Sequence, residues 1–203
     1  EPDGRVVSAA KALTSHHELT IGIREAIDQL PAERLSHISL VSLSTTLATN
    51  AVVEGRGTPV CLLLAGYNAR QVDKAKLEHI VRGGHCALIS GGHDAGGSER
   101  EALDIDRARQ VVTDQRDQVA AFGISGLFGV RNPEHELKLR ELVASLTGKP
   151  VTCGHELASQ LDAPRRALTV AFNASLITYI DELIRAIKLI LKERAIHAPL
   201  MMV

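Results

Sequence analysis

Three groups of residues in this 203-residue sequence are of types that do chemistry. The first is Ser44-Thr45-Thr46 with Asn50. The hydroxyls follow an apolar run, Ile38 to Leu43, and a short helical pattern then runs to Gly55. The reading is strand, tight turn, helix. A hydroxyl of Ser44 or Thr45 can satisfy an unpaired N–H of the first helical turn. Gly55 can take the left-handed conformation that ends a helix. Free N–H groups and hydroxyls aimed at one point can hold an anion; a capped helix that binds nothing has the same local pattern. Thr46 and Asn50 stand four apart on one helix face, so both can turn to one ligand or both to solvent. The second group is His155-Glu156, directly after the apolar stretch Val151 to Cys153. His155 can take or give a proton and Glu156 can orient a water. The carboxyl edge of a parallel sheet is where ligands bind, although adjacent residues rarely face one point. The third group is Arg166, Thr169 and Asn173, at i, i+3 and i+7 of a long helical pattern. Such a stripe suits a carboxylate, phosphate or carbonyl-bearing ligand. It equally suits an anchor to neighbouring loops.

Other chemistries find less support. The spacings G-x-x-x-x-G-K-[ST] and G-x-G-x-x-G are both absent, which argues against a P-loop NTPase or a Rossmann dinucleotide enzyme. His93 and Asp94, with His85 and Cys86 nearby, are mixed ligands at no familiar spacing. Loop His and Asp are usually solvated, so no metal site is expected. Cys61, Cys86 and Cys153 are scattered among apolar residues, where Cys behaves as a small buried hydrophobe. Cys153-Gly154-His155 gives little geometry for a cysteine hydrolase.

The elements that must position these residues alternate between strand and helix. Apolar runs at Pro59 to Ala65, Cys86 to Ser90, Val119 to Ser125 and Val151 to Cys153 read as strands. Asp3-Gly4 reads as a hairpin turn before a short strand, Arg5 to Ala9. A last strand begins in His197 to Val203 after Pro199. Helical spacing marks Leu19 to Leu30, Ala75 to Val81, Asp104 to Gln115 and about Arg165 to Arg194. Asn132-Pro133-Glu134 is a helix start, and that helix carries Leu139, Leu142, Val143 and Leu146 to its stop at Gly148. Gly91 to Arg100 is the most polar segment and reads as a lid or insertion. The pattern predicts a single α/β domain over residues 1–203 with a mainly parallel sheet and flanking helices.

Hydrophobic residues make up 45% of the chain, but aromatics only 2%, so the core is built from Ala, Leu, Ile and Val. Lys and Arg number 23 against 24 acids, for a net charge of −1. Without a basic field or stacking aromatics, no nucleic-acid partner is expected. No membrane partner is expected either, because Asp181, Glu182, Arg185 and Lys188 interrupt Leu176 to Leu191. Scattered thiols and the lack of a signal peptide favour a cytoplasmic setting.

Three ordered blocks resemble the hydantoinase/oxoprolinase family, in the N-terminal region of the hydantoin-utilisation protein A type. Ser44-Thr45-Thr46-Leu47-Ala48-Thr49-Asn50-Ala51-Val52-Val53-Glu54 is similar to its T-T-x-A-T-N-A-x-x-E block. Asn132-Pro133-Glu134-His135-Glu136 is similar to N-P-x-H-E. Gly154-His155-Glu156 followed by Arg166, Thr169 and Asn173-Ala174 is similar to [SG]-H-E … R-x-x-T … N-A. Leu43-Ser44 departs from the His-Gly that often precedes the Thr pair. The family's Asp-x-Gly-Gly-Thr phosphate loop would lie before Glu1, and a second Gly- and Asp-rich one after Val203. The expectation is therefore a fragment of a larger chain, inactive by itself and needing the remainder of that chain and a second hydantoinase subunit.

The resemblance implies one lobe of an actin-like ATPase (ribonuclease H-like) fold. It implies ATP-dependent opening of a cyclic amide of the hydantoin or 5-oxoproline type, with Mg²⁺ at the phosphates of the whole enzyme and no cofactor in the fragment. It places Thr45, Thr46, Asn50, His155, Glu156 and Arg166 at one cleft. His155 and Glu156 would then be catalytic. Thr45, Thr46, Asn50, Arg166, Thr169 and Asn173 would bind substrate or phosphate. The alternatives are an assembly domain of a multisubunit hydantoinase or carboxylase, and a lobe of a small-molecule kinase of the same fold.

Overall fold

The structure is a computed structural model that describes residues 5–13, 19–44, 46, 50–51, 54–55, 57–81 and 83–202. In chain order the elements begin with α1 (Leu19–Asp28), α2 (Ala32–Leu35) and β1 (Val41–Leu43). They continue with β2 (Val60–Ala65), α3 (Ala69–Ala75), α4 (Leu77–Ile80), β3 (His85–Ile89) and α5 (Ile105–Gln115). Then come β4 (Ala121–Gly126), α6 (Glu134–Thr147), β5 (Val151–Cys153), α7 (Gly154–Leu157), α8 (Ala163–Glu193) and β6 (Leu200–Met202). They form two compact units, one of Thr49–Tyr179 and the other of Glu1–Ala48 with Ile180–Val203.

The first unit is a four-stranded sheet in the order β3-β2-β4-β5, with every pairing parallel. All six residues of β2 and all six of β4 are buried, because helices cover both faces. Cys61, Leu63, Ala65, Phe122 and Ile124 pack on one face with Val111 and Val112 of α5 and Leu139, Leu142 and Val143 of α6. Val60, Leu62 and Leu64 pack on the other with Val72, Leu77 and the α8 residues Ala167, Val170, Ala171 and Ala174. Alternation along β2 thus feeds two cores with period two. At Gly123 a β-carbon would lie 2.8 Å from Val170 Cγ1 and 2.9 Å from Leu62 Cδ1, so α8 crosses β4 where a side chain is missing. The chain leaves β2 toward β3, then crosses back to β4 and β5. The reversal falls between β2 and β4, and the carboxyl ends flanking such a switch point are where open α/β sheets bind ligands.

The second unit joins β1 and β6 as a two-stranded parallel sheet. Leu183, Ile187, Leu191 and Ile196 form its buried cluster, with Ile23, Ile27, Leu35, Val41 and Leu200 packed against them. Arg194 pairs with Asp28, and Arg24 with Glu193 at 2.5 Å.

The α/β class with parallel strands and flanking helices is as the sequence predicts, with local differences. Residues 5–9 form no strand; no partner strand lies beside them among the described residues. Asp3-Gly4 lies outside the described residues. The helix predicted over Ala75 to Val81 is α4 alone; α3, which the sequence reading did not mark, precedes it across Lys76, whose φ is 51°. Gly55 is left-handed, with φ 70°. Asn132 caps α6 one residue early, its Oδ1 accepting from Glu134 N–H at 3.0 Å. Gly91 to Arg100 is no open lid. Asp94 Oδ1 accepts from the N–H groups of Gly96 and Ser98 at 2.8 and 3.0 Å. His93 N–H donates to Leu127 O at 3.1 Å and Arg100 N–H to Gly92 O at 3.0 Å. The polar residues that made the loop look mobile satisfy its own backbone. The helix α8, 31 residues long, has the length and apolarity of a membrane span. Here Ala167, Val170, Ala171 and Ala174 lie buried against the sheet, as in the core helix of a globular domain.

Candidate functional site

The loops after β2, β4 and β5 and the start of α6 carry a buried polar cluster at the carboxyl edge of the four-stranded sheet. Glu136, in the first turn of α6, is fully buried. Its Oε1 accepts from Gly126 N–H at 2.7 Å. Its Oε2 accepts from His155 N–H at 2.9 Å and lies 2.6 Å from His155 Nδ1. A carboxylate oxygen only accepts, so Nδ1 carries a proton, and in the neutral ring Nε2 is the nitrogen with the lone pair. The His155 side chain is 18% exposed. Room for the carboxylate exists because residue 129 is glycine; a β-carbon there would lie 2.3 Å from Glu136 Oε1.

Arg166 is 1% exposed. Its guanidinium donates to Gly126 O at 2.8 Å and to Gln160 O at 2.9 Å, and its Nε has no hydrogen-bond partner. Among the described residues no carboxylate forms an ion pair with it. Gly126 thus gives its N–H to Glu136 and its carbonyl to Arg166. Beside it Tyr67 donates to Ala163 O at 2.8 Å and takes the hydroxyl proton of Ser125 at 2.8 Å. Burial pushes the Tyr67 phenol up to about 12, so it stays a neutral donor at physiological pH.

Among the described residues, Glu136, Cys153 and His155 form the one group whose potential metal-ligating atoms lie within 4.8 Å of one another. Both oxygens of Glu136 and Nδ1 of His155 are already hydrogen-bonded. Burial, then the Glu136 and Glu156 charges, push the Cys153 thiol up to about 12, so it is neither a thiolate ligand nor a nucleophile near neutrality. Mg²⁺ asks for an octahedron of oxygens. This nitrogen, sulfur and single-carboxylate set does not fit it, and no step through Mg²⁺ follows from these residues.

A second buried pair lies at the neighbouring loop. His135 Nδ1 accepts from Gly92 N–H at 2.9 Å, so Nε2 holds the proton that it donates to Glu99 at 2.8 Å. The His93 ring lies 4.3 Å from it, centroid to centroid, with both nitrogens buried and without partners. Burial, then His135, hold His93 below its ordinary value, against smaller opposing effects of Glu134, Glu99 and Asp94. A cavity of about 340 Å³ opens by the ends of β2 and β3, lined by Tyr67, Asn68, Gln71, Ser90 and Arg100 among others. A larger one of about 660 Å³, between α5 and α6, contains none of the residues of the polar cluster.

His155 and Arg166 are brought to one place, linked through Gly126. Glu156 is not beside His155. It is exposed and pairs with Arg140 at 2.5 Å, because neighbours in the one-turn helix α7 point apart. Arg166 does not present its guanidinium to an anion; it anchors two carbonyls. Thr169 is exposed and bonds back to Arg165 O at 3.1 Å. Asn173 is half-buried and accepts from Thr152 at 3.4 Å. The stripe is therefore not one ligand-facing row. Thr45 lies outside the described residues, and Thr46 and Asn50 are exposed. His93 and Asp94 do not converge with His85 and Cys86 on a metal; His93 faces His135 while Asp94 closes its own turn. Sequence reasoning assigned no role to Glu136, His135, Tyr67 or Ser125. A signal existed for two: His135 and Glu136 fall in the N-P-x-H-E block, and Glu136 stands at i, i+3 and i+7 with Leu139 and Val143, a carboxylate on the apolar stripe of its helix.

The chain is an α/β protein with a parallel sheet and a buried carboxylate–histidine pair at the sheet's carboxyl edge. Residues 1–147 match the hydantoinase/oxoprolinase N-terminal region, and the chain belongs to that family. It is 28% identical to the caprolactamase subunit alpha of Pseudomonas jessenii, over 95% of this chain and 31% of that one. It is 25% identical to the acetophenone carboxylase gamma subunit of Aromatoleum aromaticum, over 82% of this chain and 28% of that one. The crystal structure of the ATP-dependent caprolactamase from Pseudomonas jessenii superposes with a TM-score of 0.78 at 26% identity, covering 97% of this chain and 32% of that one. A nucleotide-free acetone carboxylase structure superposes with a TM-score of 0.70, covering 91% of this chain and 31% of that one. At 18% identity that likeness shows the fold alone. The chain spans about a third of the length of the curated relatives it matches.

Proposed function

We propose that the chain is part of an ATP-dependent enzyme that opens a cyclic amide of the hydantoin, 5-oxoproline or caprolactam kind, working in the cytoplasm with the rest of its own chain and a second subunit. The observation that carries this is His155, held on buried Glu136 at the carboxyl edge of the sheet in a chain of this family. Ring opening forms a carbon–oxygen bond from water, breaks the carbon–nitrogen bond and protonates the leaving nitrogen. His155 Nε2, the acceptor in the tautomer that the Glu136 contact implies, suits taking the proton from water and returning it to that nitrogen. Arg166 and Tyr67 hold the turn at Gly126 and the start of α8. Thr45, Thr46 and Asn50 contact phosphate or the substrate carbonyl in this reading, and the 203-residue segment by itself does not turn over ATP.

The test uses the full-length protein with ATP and a panel of lactams and hydroxyl compounds. Lactam-dependent ATP consumption, lowered roughly 10²–10⁴-fold by His155→Gln, is the expected result. Consumption that requires a hydroxyl substrate instead overturns it in favour of a kinase. Loss of subunit assembly in the Thr46→Ala or His155→Gln variant points to a scaffolding role.

A further inference from the structure

We propose that Glu136 is the positioning residue for His155, and that this carboxylate, rather than the adjacent Glu156, sets the imidazole's tautomer. The inference rests on the reading of His155 as the proton-handling group and deepens it. A fully buried carboxylate is retained only where donors replace its water. Glu136 has three: the N–H of Gly126, the N–H of His155 and Nδ1 of His155. One oxygen, Oε2, takes both the main-chain and the ring proton of His155. It therefore holds the backbone position and the ring rotation of that residue together. With Nδ1 so occupied, the lone pair is confined to Nε2, which has no hydrogen-bond partner among the described residues and is not among their buried unpartnered atoms. Glu156 has its carboxylate on Arg140 and does not contribute. Glu136 touches no reacting atom in this arrangement; it acts through His155.

The amide of Glu136→Gln tests this, because it keeps the shape but has one accepting end and one donating end. It cannot accept from Gly126 on one side and from His155 on the other. The full-length enzyme is labelled with ¹⁵N-histidine, and His155 is assigned by its loss in His155→Gln. The native protein is expected to show His155 as the Nδ1–H tautomer. In Glu136→Gln that tautomer is expected to lose its predominance, and kcat to fall roughly 10²–10⁴-fold, the scale of acid–base catalysis, with KM for the amide little changed. A purely structural role would lower folded yield or raise KM and leave the tautomer as it was. His155 retaining the Nδ1–H form, or kcat unchanged, in Glu136→Gln while His155→Gln is inactive overturns the positioning role alone. Turnover retained by His155→Gln overturns the functional reading on which it rests. If Glu136→Gln does not fold, Glu136→Asp, which withdraws the carboxylate from the ring by one methylene, carries the same two readouts.

Discussion

Glu136 occupies space that Gly129 leaves, and the approach is close enough to be measured through stability. Gly129→Ala places a methyl 2.3 Å from Glu136 Oε1 in the unrelaxed backbone. The expected cost is about 1–3 kcal/mol, the range for overpacking a buried site, read as a lower urea midpoint. His93 makes a prediction about pH. Its ordinary value is 6.5, and burial beside His135 lowers it in the folded state. The unfolded chain therefore binds a proton at higher pH than the native one, so stability rises with pH across that window and falls on acidification below about 6.5. Urea unfolding between about pH 5 and 7.5 should show this slope, and His93→Phe should flatten it. A slope unchanged by the substitution assigns it to other groups. At this scale the sequence singled out His155 and Arg166 by type, and the structure brings both to Gly126. It could not tell that Glu136, nineteen residues before His155, is the carboxylate that reaches it. That contact depends on α6 and α7 meeting at the end of β4.

Elements were easier to read than the partners of single residues, because periodicity is local. The run Pro59 to Ala65 is apolar at nearly every position, and the strand it forms is buried on both faces. The stop of α6 at Gly148 and the cap of α5 at Asp104 also follow from side-chain chemistry alone. What periodicity does not say is which face meets which helix. The passage of α8 over Gly123 is such a fact and is testable by coupling. Gly123→Ala brings a methyl against Val170 and Leu62 and should cost about 1–3 kcal/mol. Val170→Ala should cost less in that background than in the wild type. Additive costs in the double mutant would mean that α8 does not press on β4 there. The loop Gly91 to Arg100 taught the opposite lesson. Its composition suggested mobility, yet Asp94 and the Gly92–Arg100 contact give it internal order.

The molecule as a whole distributes burial unevenly, which sets where it opens. Every residue of β2 and β4 is buried between two helical layers, whereas β1 and β6 form a two-stranded sheet with Met201 and Met202 exposed. Hydrogen exchange in the full-length protein should protect the amides of Val60 to Ala65 and Ala121 to Gly126 most strongly, since central buried strands open only with their unit. Faster exchange in β2 than in β6 would contradict this hierarchy of burial.

By itself the sequence determined the α/β class, the strands of the main sheet with the longer helices and, through three ordered blocks, the family. These depend on residue type, short-range periodicity and spacing along the chain. Tertiary structure alone decided the strand order, the switch point between β2 and β4, and the contents of the polar cluster there. It exchanged Glu156 for Glu136 beside His155, made Arg166 an anchor and buried His93 against His135. Each of those outcomes joins residues from separate elements, so it depends on how the parallel strands line up and bring the ends of several loops to one edge.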